Sequence, residues 1–169
     1  MADAWLVVGL GNPGPRFELT RHNVGQLVVD VLAERRGETF RTHKANARVA
    51  ETWLRPGGPK LILAKPNTFM NVSGGVVAGL AKFYGIDPER VVVVHDELDI
   101  PFDTIKLKAG GGHGGHNGVR DVAKASRLDL DGVVATMTSV VRDIARADAE
   151  RAATRAAALS EILGQEAAA

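Results

Sequence analysis

Apolar residues near the start of the chain first form a short run and then recur at helical spacing. Residues 5–10 are apolar and lead into Gly11-Asn12-Pro13-Gly14-Pro15, which is typical of a buried strand that ends in a rigid loop. Residues 24–36 carry an apolar residue every three or four positions, with Asn23 near the cap and Gly37 as a stop. The pattern therefore predicts a strand, a loop and an amphipathic helix.

The same alternation continues along the chain. Strands are predicted at 48–54, 60–64 and 91–94, helices at 71–84 and from about residue 119, and a hairpin-like piece through residue 108 before the glycine-rich run 110–118. Strands that alternate with helices predict an α/β fold: a single-domain three-layer sandwich, with a mixed, mostly parallel sheet and helices on both faces.

The last forty residues differ in character from the rest. Residues 133–138 favour a strand, and the alanine-rich stretch after residue 141 repeats apolar residues three and four apart. We expect one strand and then a long C-terminal helix that packs on the body, since its charges are mixed in sign. Residues 1–169 are thus interpreted as one domain with a divergent segment at 128–169.

Composition narrows the class of protein. A chain of 169 residues with 45% hydrophobic content can bury one core. The lack of cysteine excludes disulfides, a thiolate nucleophile and cysteine-ligated metal, and it fits a reducing cytosol. The N-terminus shows no basic leader and no apolar run of roughly 18 residues, the length a membrane span needs. A cytoplasmic monomer with no membrane contact is expected.

Positive charge is concentrated in one stretch, although the formal net charge is only +1. Between residues 104 and 127 the only acidic residue is Asp121. The basic residues there are Lys106, Lys108, Arg120, Lys124 and Arg127. Such a stretch fits local contact with nucleic acid, and it fits a solvated surface equally well.

Polar residues that can carry chemistry follow three of the predicted strands. Asn12, Asn71 and Asp96 stand at such strand ends, where ligand groups collect in α/β folds. Ser73 lacks a Gly-x-Ser-x-Gly setting and is interpreted as a helix-start or packing serine. The complete set is Asn12, His22, Asn71, Asp96, His113, His116 and Asn117. A histidine base, a carboxylate and neutral amides suit direct attack of water on an ester or amide.

Parts of the sequence are also compatible with two other functions. Residues 9–14 match Gly-x-Gly-x-x-Gly, which is typical of dinucleotide binding, but Pro13 and Pro15 constrain the loop and no helix starts directly after Gly14. The pair His113 and His116 could hold a metal, yet its glycine-rich spacing favours a loop that closes over substrate. No metal and no cofactor are expected.

Five motifs, in order and spacing, resemble those of the bacterial peptidyl-tRNA hydrolase family. They lie at residues 9–14, 20–23, 65–74, 95–99 and 110–118 and read GLGNPG, TRHN, KPNTFMNVSG, HDELD and GGGHGGHNG. The resemblance covers roughly residues 4–127. It implies hydrolysis of the ester between a peptide and the 3′ end of its tRNA, with peptidyl-tRNA as the partner and no covalent intermediate.

The resemblance also implies roles for individual residues. His22 would be the general base that activates water, and Asp96 would hydrogen-bond it and fix its tautomer. Asn12 and Asn71 would hold the peptide and the terminal ribose region, while Asn117 would position water or the developing oxyanion.

Further positions are implied to line the substrate path. Met70 and His116, with the loop around His113, would form walls of a peptide channel. Lys108 stands where the family places a lysine on the tRNA 5′ phosphate. Contacts of this kind with phosphate and ester would let one enzyme serve many tRNAs.

The chain departs from the family pattern in two places. Phe17 stands where the family usually has tyrosine, so stacking is retained and a hydroxyl contact is lost. After the helix that follows Asn117, the chain lacks the arginine-rich strand and the Gly-Ile-Gly-Arg-Pro-like segment of the family. These departures leave open a catalytically weak relative that binds tRNA or RNA, and a dinucleotide-binding oxidoreductase is the remaining alternative.

Overall fold

A computed structural model describes residues 4–18, 20–97 and 113–125. Within these residues, one sheet has five strands in the order β2-β3-β4-β1-β5. The strands are β1 (Ala4–Gly9), β2 (Arg41–His43), β3 (Ala47–Trp53), β4 (Lys60–Pro66) and β5 (Val91–Val94). Strand β1 lies between β4 and β5 and runs parallel to both, whereas β3 pairs antiparallel with the other side of β4 and β2 pairs antiparallel with β3. The predicted mixed sheet is confirmed: the parallel strands β4, β1 and β5 lie side by side, and the antiparallel strands β3 and β2 follow on the other side of β4.

Helices cover both faces of this sheet, as predicted. They are α1 (Val24–Arg35), α2 (Gly74–Tyr84) and α3 (Asn117–Ala125). Successive side chains of a strand point to opposite faces, and β1 shows this directly: Val7 packs in the cluster with Val29 of α1, whereas Leu6 packs in the cluster with Leu80 of α2. Both faces of β1 are therefore buried, one against α1 and the other against α2.

Most predicted elements agree with the structure, and the start of α2 does not. The strand predicted at 91–94 is confirmed, and the helix predicted at 24–36 ends one residue earlier than expected. The helix predicted from residue 71 is wrong at its start, because Met70–Val72 forms a 3₁₀ turn and α2 begins at Gly74. A Cβ at Gly74 would lie 2.3 Å from the carbonyl oxygen of Asp121, so the α-helix begins where α3 packs against it. The predicted hairpin through Lys108 and the predicted C-terminal strand and helix lie outside the described residues.

Helix α3 also begins earlier than the expected residue 119. It starts at Asn117, and the Nδ1 of His116 accepts a hydrogen bond from the backbone N–H of Val119 at 3.2 Å. His116 thus supplies a side-chain acceptor at the residue before the helix, where the first turn has N–H groups without partners. Histidine is not among the residues usually preferred at this position, which explains why the sequence pattern missed the start.

Candidate active site

The loops that follow the three parallel strands lie together at the carboxyl-terminal ends of those strands. They carry Asn12 after β1, Met70 and Asn71 after β4, and Asp96 after β5. Because β4 and β5 both lie beside β1 and run parallel to it, their carboxyl ends collect on the same edge. The polar residues Asn12, Asn71 and Asp96, which were predicted to follow strands, therefore lie at the same end of the sheet.

Close packing of α1 on the sheet brings His22 to this edge. A Cβ at Gly25 would lie 2.2 Å from the carbonyl oxygen of Val94, so only glycine lets the start of α1 approach the end of β5 this closely. His22 lies in the 3₁₀ turn just before α1, and Asp96 lies two residues after the end of β5. Their side chains meet with Nδ1 of His22 2.7 Å from Oδ2 of Asp96. The imidazole is 56% exposed and the carboxyl group is 9% exposed, so a buried acid holds a solvent-facing histidine.

The second carboxylate oxygen of Asp96 is also occupied. Its Oδ1 lies 3.1 Å from Nε2 of His116. Burial acts to raise the pKa of Asp96, but the hydrogen bonds from His116 and His22 outweigh it and hold that pKa below its ordinary value. Asp96 is therefore an ionised acceptor for two imidazole N–H groups at neutral pH.

A third histidine packs beneath this pair. Nδ1 of His95 lies 2.6 Å from the backbone carbonyl oxygen of Asp96, and the ring centroids of His95 and His116 are 4.3 Å apart. Burial lowers the pKa of His95 more than its bond to the Asp96 carbonyl raises it, so the ring is neutral near pH 7. A neutral His95 ring fits against the imidazole of His116 without placing a positive charge beside it.

Asn12 is held in place by Asn23. The side chain of Asn23 accepts from the backbone N–H of Asn12 at 2.8 Å and donates to its carbonyl oxygen at 2.9 Å. Asn23 is at the N-cap position of α1, as predicted, but its side chain makes no capping hydrogen bond. It is buried and binds the neighbouring loop instead, a role that the sequence reasoning missed. The adjacency of Asn23 to His22 was the available signal.

The Asn12 side chain then joins two loops. Its Oδ1 accepts from the backbone N–H of Met70 at 2.9 Å, and among the described residues its Nδ2 has no protein acceptor. Met70 itself is half-buried and packs on Gly118, where a Cβ would lie 2.8 Å from the Met70 Cγ. Asn12 can therefore donate its amide N–H outward while its oxygen fixes the start of the 3₁₀ turn.

Four further residues were predicted to contact the substrate or the tRNA, and the structure describes three of them: Asn71, Asn117 and Phe17. Asn71 is exposed on the 3₁₀ turn, and Asn117 is exposed at the start of α3, where its Oδ1 accepts from Nη2 of Arg120 at 2.8 Å. Phe17 is half-buried, and the guanidinium carbon of Arg16 lies 4.6 Å from its ring centroid. No hydrogen bond within the described part of the chain joins these three residues to His22. Lys108 lies outside it.

A hydrogen bond between α3 and α2 fixes the relative positions of the segments that carry Asn71 and Asn117. Oδ2 of Asp121 on α3 accepts from the backbone N–H of Gly74 at 2.7 Å, at the first residue of α2. Ser73, which is fully buried, donates from its Oγ to the carbonyl oxygen of Phe69 at 3.2 Å. Ser73 is thus a helix-start and packing serine, as predicted, whereas no pattern in the sequence indicates the structural role of Asp121.

The glycines of the Gly-x-Gly-x-x-Gly match have a packing role. A Cβ at Gly9 would lie 2.2 Å from the carbonyl oxygen of Gly25, so this glycine permits contact between strand and helix. Gly14 leads into the 3₁₀ helix Pro15–Phe17, and α1 begins ten residues after Gly14. The N-terminus of α1 therefore does not follow the loop as pyrophosphate binding requires.

Two further findings concern metals and membranes. Within residues 4–18, 20–97 and 113–125, no group of three or more histidine, aspartate or glutamate side chains is arranged to hold a metal ion. In the same described ranges, none of the helices has the length and apolar character required to cross a membrane.

The fold and the site define a class: an α/β protein in which a histidine–carboxylate pair and neutral amides stand at the carboxyl edge of parallel strands. The sequence profile of the family described as Peptidyl-tRNA hydrolase matches residues 6–154. The chain belongs to the peptidyl-tRNA hydrolase family.

Individual relatives agree with this membership. The chain is 66% identical over 122 residues to a peptidyl-tRNA hydrolase of Leifsonia xyli, covering 72% of this chain and 63% of that protein. It is 63% identical over 125 residues to one of Pseudarthrobacter chlorophenolicus, covering 74% of this chain and 64% of the relative. The matched part of the chain thus spans slightly less than two thirds of these curated relatives.

A solved structure shows the same fold. The crystal structure of peptidyl-tRNA hydrolase from Acinetobacter baumannii superposes with a TM-score of 0.67 at 32% sequence identity. The superposition covers 99% of this chain and 92% of that chain. The family expected from the motifs is thereby confirmed both by sequence and by structure.

Proposed function

We propose that this chain hydrolyses the ester between a peptide and the 3′ end of tRNA, and so releases both. The observation that carries the proposal is the pairing of exposed His22 with buried, ionised Asp96 at 2.7 Å. Membership of the peptidyl-tRNA hydrolase family supports the choice of substrate. A histidine oriented by a carboxylate is an effective general base near neutral pH.

The proposed chemistry begins at the outer nitrogen of His22. Because an ionised carboxylate can only accept, the Nδ1 of His22 carries the proton and donates to Asp96. The Nε2 of His22 then holds a lone pair. It takes a proton from water as that water attacks the ester carbonyl carbon, and the proton passes to the ribose oxygen when the carbon–oxygen bond breaks.

Neutral amides complete the proposed site. The Nδ2 of Asn12 is available because the Asn12 oxygen is bound to Met70. The exposed side chain of Asn117 likewise uses its oxygen to accept from Arg120, which leaves its Nδ2 to donate. Amide N–H groups can stabilise a developing oxyanion or hold water without competing for the transferred proton. Asn12 and exposed Asn71 would hold the peptide and the terminal ribose region, with Phe17 and Met70 as further substrate contacts.

The tRNA is proposed to lie along the outer face of α3. Arg120 and Lys124 are exposed on this helix, which starts at Asn117, and Lys108 would extend the basic surface toward the 5′ phosphate. Phosphate contacts supply affinity that does not depend on base sequence. We further propose that residues 1–169 act as one monomeric domain in the cytoplasm. In the described part of the chain α1 and α2 pack on the sheet and α3 packs on α2, which supports a single domain.

The test is release of labelled N-acetyl-aminoacyl product from its tRNA, with unblocked aminoacyl-tRNA as the substrate control. We expect hydrolysis of the blocked substrate, and we expect His22→Ala to lower turnover by about a hundredfold or more, as for loss of a general base. His43→Asn is the matched variant, because His43 lies on β2 and asparagine can still accept from the backbone N–H of Ala45. Near wild-type turnover in His22→Ala would exclude His22 as the base.

A weakly catalytic tRNA-binding relative is the second candidate. It is favoured by the lack of the Gly-Ile-Gly-Arg-Pro-like segment and by relatives that match only 72–74% of this chain. Binding of tRNA by the folded chain without hydrolysis would support this candidate, and turnover abolished by His22→Ala would reject it.

A further inference from the structure

The protonation of His116 can be assigned from its two hydrogen bonds. Its Nδ1 lies 3.2 Å from the backbone nitrogen of Val119, which can only donate, so Nδ1 holds a lone pair. The proton of the neutral ring is then on Nε2, which faces Oδ1 of Asp96 at 3.1 Å. The start of α3 therefore fixes the His116 tautomer that can donate to Asp96.

This arrangement leaves the Asp96 carboxylate little freedom to rotate. One carboxylate oxygen accepts from His22 and the other from His116, while the backbone carbonyl of Asp96 itself is bound to His95. The His116 side chain is only 13% exposed, which leaves little of its ring for contact with a substrate. Rotation of the carboxylate away from His22 would break a second, nearly buried hydrogen bond.

We infer that His116 is a positioning residue, which orients Asp96 toward His22, and that it is not a wall of the peptide channel. The inference rests on the proposed function for its kinetic consequence, and it is an alternative to the expectation that His116 contacts the peptide. Among the described residues, the titratable and charged groups near the ring are Asp96, His22, His95 and Glu97, which follow or face the end of β5, and His113 and Arg120, which are close to it in sequence.

Two substitutions separate the two hydrogen bonds of His116. In His116→Asn the shorter side chain still caps α3, because asparagine is a preferred residue before a helix, but it does not reach Asp96. In His116→Gln the amide nitrogen stands near the former Nε2 and can donate to Asp96. The helix start is thus retained in the variant that loses the Asp96 contact, so a loss of folding is not the expected result.

The kinetic test compares kcat and KM of the two variants on N-acetyl-aminoacyl-tRNA. We expect His116→Asn to lower kcat about ten- to a hundredfold with KM little changed, because small errors in catalytic orientation have effects of this size. His116→Gln should recover most of that loss. A raised KM with unchanged kcat in His116→Asn would show a peptide contact and overturn the inference, as would an equal loss of kcat in both variants.

A second measurement does not need activity. The side-chain carboxyl ¹³C signal of Asp96 can be followed through an acid titration by NMR. We expect the pKa of Asp96 to rise in His116→Asn, because a hydrogen bond to the ionised form is lost, and to stay low in His116→Gln. An unchanged titration in His116→Asn would reject the inference even if the wild-type chain proved inactive, and inactivity alone would reject only the proposed function.

Discussion

Two carboxylates in this protein each bind two partners, yet their surroundings differ. Asp96 takes His22 on one oxygen and His116 on the other, at 9% exposure. Glu51 on β3 lies 2.5 Å from Nζ of Lys60 through one oxygen and accepts from the Tyr84 hydroxyl at 3.0 Å through the other, at 46% exposure. Both carboxylates have one partner on each oxygen, but water has much more access to Glu51 than to Asp96.

The balance of forces on the two groups shows what this difference means. For Glu51 the hydrogen bond from Lys60 is the largest influence, and it lowers the pKa against a smaller effect of burial. For Asp96 burial is the largest influence and raises the pKa, so the lowered value depends on two histidine donors together. Water can replace a lost partner of Glu51, whereas Asp96 has little access to such a replacement.

The largest expected effect follows from Asp96→Asn. An amide at this position can donate toward Nδ1 of His22, which would favour the wrong tautomer and leave the outer nitrogen protonated. By analogy with the serine-protease triad, we expect turnover of peptidyl-tRNA to fall by about 10²–10⁴-fold. Steady-state kinetics with Glu51→Gln as the matched variant measures this effect. Equal turnover in the two variants would remove the proposed distinction between the carboxylates.

The next effect is a change in the titration of Tyr84, the only tyrosine in the chain. Burial and the hydrogen bond to Glu51 raise its pKa to about 12. Since the folded value lies above the ordinary value of about 10, this contribution to stability is present below pH 10 and is lost as the pH rises through the folded value. Near-ultraviolet absorbance reports the phenolate directly. The midpoint should fall in Glu51→Gln and stay unchanged in Asp96→Asn, and an unmoved midpoint in Glu51→Gln would contradict the role of Glu51.

The smallest effect is expected for stability in Glu51→Gln. Because both members of the Glu51–Lys60 pair reach solvent, we expect a loss of less than about 1 kcal/mol in the free energy of unfolding at neutral pH. The pKa of Glu51 is lowered on folding, so its contribution exists above the ordinary carboxyl value and disappears as the pH falls through the folded value. Urea unfolding at neutral and acid pH tests this. A difference between variant and wild type that grew on acidification would have the wrong sign.

Much of the sheet could be predicted because its strands and helices differ in period. The buried run of β5 and the helical repeat of α1 each give a clear local pattern, and the rule that parallel strands end at one edge placed Asn12, Asn71 and Asp96 together. Strand β2 was missed, because Arg41–His43 is three residues long and too polar for such a pattern.

Other features depend on distances that a sequence does not contain. The start of α2 depends on the approach of α3 to Gly74, and the hydrogen bonds of Asn23 depend on the path of the loop that carries Asn12. The second histidine on Asp96 was missed for a related reason. The glycine-rich spacing around His116 imposes no fixed direction on the ring until α3 begins.

The bond between Asp121 and Gly74 also affects the distribution of charge on the surface. Asp121 is the only acidic residue between residues 104 and 127, and its carboxylate points into the N-terminus of α2, where the helix dipole favours negative charge. Its negative charge is thereby withdrawn from the outer face that carries Arg120 and Lys124. A chain with a formal net charge of +1 can in this way present one face that attracts anions from a distance, with an association rate that falls as salt is added.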